Sequence, residues 1–189
     1  MRRAMAQVKG SMLVARLQYV RERHGAAAQE RLLASLPAPD EAFLRGSLLP
    51  HGWAPYETFV SMSVAIDQMF GRGDMALCYE LGRHAAGVNL PTLYKIFYRL
   101  GTPLFVFRKA ARLWEVHYDS GRLIPIQEGP TTVRLRICDF ADPHEAHCLS
   151  VKGWAARSVE LSGASLVALD EDRCRRRGDA ACEFVLGWR

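Results

Sequence analysis

The chain has 189 residues, a formal net charge of +5, 49% hydrophobic and 24% charged side chains. That length suffices for one domain with a proper core, and no apolar run approaches the roughly 18 to 20 residues of a membrane span. Met1-Arg2-Arg3 leads into Ala4-Met5-Ala6 without the apolar stretch of a signal peptide, so a cytoplasmic address is expected. Five cysteines, an odd number, then predict reduced thiols or metal ligands over disulfides. The positive charge is dispersed and carried mostly by arginine, as on a solvated surface, and no groove-reading motif accompanies it; nucleic acid is not an expected partner.

Residues 1–10 read as a basic tail and residues 11–189 as one domain. Leu13, Leu17 and Val20 recur at helical spacing over 11–24, with Ser11 a possible N-cap and Gly25 a stop. A second helix over 27–36 ends before Pro37. Asp40 opens a short segment to residue 49, and Pro55 sits at the first turn of a longer helix to Phe70. Gly71-Arg72-Gly73-Asp74 breaks the chain before a helix over 75–86. Further helices are predicted over 93–100 and 103–111.

The period then switches to two. Residues 113–118, 123–127 and 132–138 read as strands joined by turns at Asp119-Ser120-Gly121 and Glu128-Gly129-Pro130. A helix over 145–161 carries Cys148 near its start, and strands over 165–170 and 182–186 close the sheet. The predicted class is α+β: a helical N-terminal half packed on a C-terminal antiparallel sheet, with one intervening helix.

Cys148, Glu171, Cys174 and Cys182 carry the most chemistry. Gly178 lies midway between Cys174 and Cys182, where a tight turn would bring the thiols together. Thiolates with one oxygen ligand suit a closed tetrahedral zinc site, while the same spacing also allows small buried thiols. Asp172 or His147 is near enough in sequence to replace Glu171. Arg173, Arg175, Arg176 and Arg177 would offset the negative charge of such a site.

The pattern Glu171-x2-Cys174-x3-Gly178-x3-Cys182-x-Phe184, preceded by Cys148 and Gly153-Trp154, resembles the 4-vinyl reductase domain family and the sensor domains of bacterial phenol and toluene regulators. The resemblance implies structural zinc on Cys148, Glu171, Cys174 and Cys182. The wider superfamily includes TRAPP tethering subunits and haem nitric-oxide sensors, so fold likeness leaves function open. The layout from Val8-Lys9-Gly10-Ser11 through Gly52-Trp53 to Trp188 is similar to paralogues abundant in myxobacteria, which implies no function of its own.

Tyr118-x-Ser120-x-Arg122 fits the signature by which haem nitric-oxide sensors hold the haem propionates, and it reads equally as a turn. Those sensors place a histidine after a leucine upstream, where this chain has Leu93-Tyr94, and the spacing of His84 is wrong. Haem is therefore not expected. For an apolar or aromatic ligand between helices and sheet, Tyr94, Phe107 and Trp114 are the candidate contacts, with Trp114 expected at the start of the first strand. His84, Tyr94 and Tyr98 are the polar candidates. No catalytic motif is present, and Glu80 with His84 reads as a surface pair.

The sequence thus predicts a zinc-stabilised sensory domain that binds a small apolar or aromatic molecule and signals through a homodimer or a protein partner, not an enzyme. The alternatives are a TRAPP-like assembly scaffold and, third, a haem-binding sensor.

Overall fold

The structure, a computed structural model, describes residues 6–88, 101–141 and 143–189. Among these, seven α-helices and six strands follow in the order β1 (Gln7–Lys9), α1 (Gly10–His24), α2 (Ala26–Ser35), α3 (Ala38–Gly46), β2 (Trp53–Pro55), α4 (Tyr56–Phe70), α5 (Ala76–Val88), α6 (Pro103–His117), β3 (Arg122–Gly129), β4 (Thr132–Cys138), α7 (Glu145–Leu161), β5 (Leu166–Arg173) and β6 (Cys182–Trp188). This is the predicted α+β class. The segment read as a tail contributes β1, which pairs antiparallel with β2, Val8 opposite Ala54. A three-residue strand is too short for its alternation to be read.

The main sheet is antiparallel throughout, in the order β3-β4-β6-β5. Along β4 the side chains of Val133, Leu135 and Ile137 are buried while those between them are not, the two-residue period that sequence showed. Leu135 pairs with Phe184 and Val133 with Leu186, so β6 carries the same apolar face at the sheet's centre.

The largest departure from expectation is α6. Residues 113–118 alternate, but the helix begun at Pro103 continues to His117. Thr102 caps it, its Oγ1 accepting the Phe105 amide at 3.3 Å. Val106, Phe107 and Trp114 fall on one buried face at helical spacing, and no turn signal separates residue 111 from 113. Asp119-Ser120-Gly121 is consequently a helix-to-strand turn, not a hairpin. The expected helix over 93–100 lies outside the described residues.

Helices α5 and α7 cross with their backbones touching. A Cβ at Gly82 would overlap the Ser150 carbonyl, and one at Gly153 would overlap that of Tyr79. Only glycine permits that approach at either point. Asp67, fully buried at the end of α4, secures the start of α5 by accepting the amides of Met75 at 2.9 Å and Leu77 at 3.0 Å.

Candidate ligand pocket and thiol cluster

A cavity of about 410 Å³ opens between α1, α5, α6, α7 and β3. Val106, Ala110, Trp114, Tyr118, Leu123 and Trp154 form apolar walls, and exposed His51, Phe105, Lys109 and Val116 border its mouth. The size is that of small-molecule sites. Deep in the cavity wall sits Arg16, 1% exposed. Its Nε donates to Ser63 Oγ at 2.7 Å, one terminal nitrogen to Met12 O at 3.1 Å and the other to Ser150 Oγ at 2.9 Å. The guanidinium also lies 3.8 Å over the Phe59 ring. Burial pulls its pKa down to about 10, which still leaves it charged at neutral pH.

Of the predicted ligand contacts, Trp114 lines this cavity, although from a helix instead of a strand. It stacks on Tyr118 with centroids 4.3 Å apart, and its Nε1 donates to Ser120 O at 3.0 Å. Phe107 is fully buried but packs edge-on against Trp154 at 5.9 Å, behind the cavity wall. Tyr94 and Tyr98 lie outside the described residues. His84 does not pair with Glu80, which instead reaches Arg83 at 3.6 Å. The His84 ring meets Tyr19 edge-on at 5.4 Å, its Nε2 is buried without a partner, and burial lowers its pKa.

Arg16, Ser150 and His117 were missed in sequence. Arg16 sits on an amphipathic helix where arginine ordinarily marks the solvent side, and only the helix's placement reveals otherwise.

Tyr118-x-Ser120-x-Arg122 splits three ways. Tyr118 faces the cavity, its hydroxyl pKa raised by burial. Ser120 Oγ is buried with no hydrogen-bond partner, and the residue stands behind Tyr118, outside the cavity lining. Arg122 points outward and pairs with Asp139 at 2.7 Å, both side chains about two-thirds exposed at 66% and 69%. His117 also lines the cavity, its Nδ1 held by Leu113 O at 3.1 Å, which leaves Nε2 as the ring's acceptor nitrogen.

The predicted metal ligands gather at the start of α7. The sulfurs of Cys148, Cys174 and Cys182 all lie within 4.8 Å of one another, and all three residues are buried. The turn that brings them together is a short 3-10 segment, Arg175–Arg177, closed by Gly178 at φ +94°. Asp179 Oδ2 accepts the Cys174 amide at 2.8 Å and fixes it.

Hydrogen bonds from Cys148 foremost, then from the Arg175 amide and Cys174, hold the Cys182 thiol below its ordinary range. Cys148, as the donor, is pushed up. Glu171 stands outside the sulfur triad. Its Oε2 is 3.4 Å from Arg177, and its Oε1 is buried with no partner. Neither substitute is available: Asp172 is paired with Arg134, and His147 stacks on Phe140 at 4.6 Å within an aromatic cluster. There burial drives the His147 pKa down to about 3.

Arg176 and Arg177 are paired to Glu145 and Glu171, while Arg173 approaches Glu183 at 3.9 Å. The arginine cluster therefore balances nearby carboxylates.

No protein-family profile and no curated protein matches the sequence. Solved structures do. An H-NOX protein from S. oneidensis in the Fe(II) ligation state superposes with a TM-score of 0.75 over 96% of both chains, at 12% identity. The unliganded Fe(II) H-NOX protein from K. algicida gives 0.68 over 96% of both at 10%. An oxygen-binding H-NOX domain related to soluble guanylate cyclases gives 0.68 at 12%, over 96% of this chain and 95% of that one.

The fold is thus that of the H-NOX domains. This corrects the cofactor expectation, which put structural zinc first and discounted haem: the proteins that share the fold are described by Fe(II), Fe(II)NO and oxygen-bound states. No helix among the described residues is long and apolar enough to cross a membrane.

Proposed function

We propose that this chain is a small-molecule sensor domain whose pocket takes haem. The observation that carries the reading is the apolar cavity of about 410 Å³ bounded by α6 and by Tyr118, at the turn that also buries the unpaired Ser120 hydroxyl. An open cavity weighs against the assembly-scaffold alternative, which calls for a filled core.

The residues present fit the group. His117, anchored through Nδ1, would offer Nε2 to the iron, Tyr118 would offer its hydroxyl to a propionate, and the apolar walls would pack against the ring. Bound haem supplies reversible ligation of a diatomic gas. The pocket residues hold and shield it, and the signal passes to a second copy or a partner protein.

Titration of the purified full chain with hemin should give a saturable Soret band at one equivalent. After reduction the band should shift with NO or CO, and His117→Ala should alter it while His24→Ala, away from the cavity, does not. Absence of a saturable band at micromolar hemin would overturn the proposal.

A separate observation supports a second site. The converged thiols of Cys148, Cys174 and Cys182 form a three-sulfur donor set that fits a thiophilic metal ion. Such an ion would tie α7 to the β5–β6 edge, because binding free energy of this kind is folding free energy. Cobalt titration should produce a thiolate charge-transfer band that Cys174→Ser abolishes, together with a lowered Tm. An unchanged Tm and no band would leave the thiols as core side chains.

A further inference from the structure

Arg16 is an ionised side chain sealed in a pocket wall without a counter-charge. No carboxylate lies within ion-pair distance of it among the described residues; its hydrogen-bond partners are two serine hydroxyls and one carbonyl, and its face rests on the Phe59 ring, all neutral. The one buried carboxylate on the adjoining helix, Asp67, is occupied by the Met75 and Leu77 amides. A buried charge left unpaired is strongly destabilising unless something compensates it.

Arg16 and Ser150 both line the cavity, whose remaining walls are largely apolar. The arginine that the sequence motif would assign to an acidic group, Arg122, faces solvent against Asp139.

We infer that Arg16, backed by Ser63 and Ser150, receives a carboxylate of the pocket's ligand, so that the site selects an apolar body carrying an acidic group. This deepens the pocket reading above and rests on it. Two sources share the chemistry, a haem propionate and a fatty-acid headgroup. In either, guanidinium to carboxylate is a charge-assisted pair in a low-dielectric site, while an ester or alcohol there leaves the cation uncompensated.

The test pairs each acid with its neutral analogue on the full chain: hemin against hemin dimethyl ester, and palmitate against hexadecanol, with wild type and Arg16→Met. Met fills similar volume without charge, and such replacements of buried charges are often neutral or stabilising, so the variant should fold with at least wild-type Tm when empty. Wild type should prefer the acid of the binding class by about tenfold or more, equal to about 1.4 kcal/mol, and Arg16→Met should erase the preference.

Preference for palmitate with no hemin binding would keep this inference and remove the haem reading. Hemin and its ester binding equally would keep the haem reading and overturn this inference. Binding of none of the four would overturn both. Should Arg16→Met fail to fold, Arg16→Lys retains the charge without the planar fork and should weaken the preference; an unweakened preference would assign the selectivity elsewhere.

Discussion

A histidine with one ring nitrogen shielded from water changes what acid does to the protein. The His84 ring is wedged against Tyr19 with Nε2 buried and unpartnered, and burial lowers its pKa from the usual 6.5. A folded-state pKa below the unfolded one means that the unfolded chain takes up the proton first. The stability this group allows is therefore complete above about pH 6.5 and is lost as pH falls toward the folded value. His84→Leu should flatten the decline of the urea midpoint between pH 7 and pH 5 relative to wild type; parallel declines in the two proteins would refute the assignment.

The convergence of the three thiols was legible at this scale because spacing and turn coincide: two cysteines around a Gly-centred turn are brought together with few other arrangements. Arg16 and His117 were not legible, since an arginine or histidine on a helix reads identically whether its face meets solvent or a cavity. Tyr118-x-Ser120-x-Arg122 was visible as a string, yet its three members point to different surroundings, which no string records.

Among the elements, the helical run to Phe70 and its break at Gly71 were readable from capping residues and glycine, as were β4, where alternation runs unbroken for seven residues, and α7, bounded by Pro143 and Gly163. The strand expected over 113–118 failed because six residues of alternation are compatible with a helix whose buried face has already been set by Val106 and Phe107. The α5–α7 crossing shows the same limit: Gly82 and Gly153 look like ordinary helix weaknesses until their partners are known. Gly82→Ala should lower stability by about 1–3 kcal/mol, through overpacking against the Ser150 carbonyl. Gly87→Ala, in the same helix with nothing within 4 Å of the added methyl, should be neutral or mildly stabilising. Equal Tm changes in the two variants would show that helix propensity, not the crossing, governs both.

For the molecule as a whole, the four-stranded sheet ends in β3 and β5, and the helical half forms the other side. We expect a two-fold homodimer joined through helices, because sheet edges joined to one another invite open-ended pairing. Light scattering at micromolar concentration should return twice the 21.2 kDa chain mass, and a monomer mass at every concentration would exclude it. An overall α+β architecture followed from the change of period near the chain's middle. The cavity could not follow from it, because a void is a property of packing between elements distant in sequence, here α1 against α7.

The uncompensated guanidinium of Arg16 has one more consequence, for the protein's lifetime in a cell. Without a bound acid the folded chain carries a buried charge that ligand would neutralise, so the unloaded form populates its unfolded ensemble more often and meets proteases there more often. Occupancy would then govern abundance as well as conformation: synthesis continues at one rate, while loaded chains outlast empty ones. A chain of this kind reports ligand supply by how much of it survives.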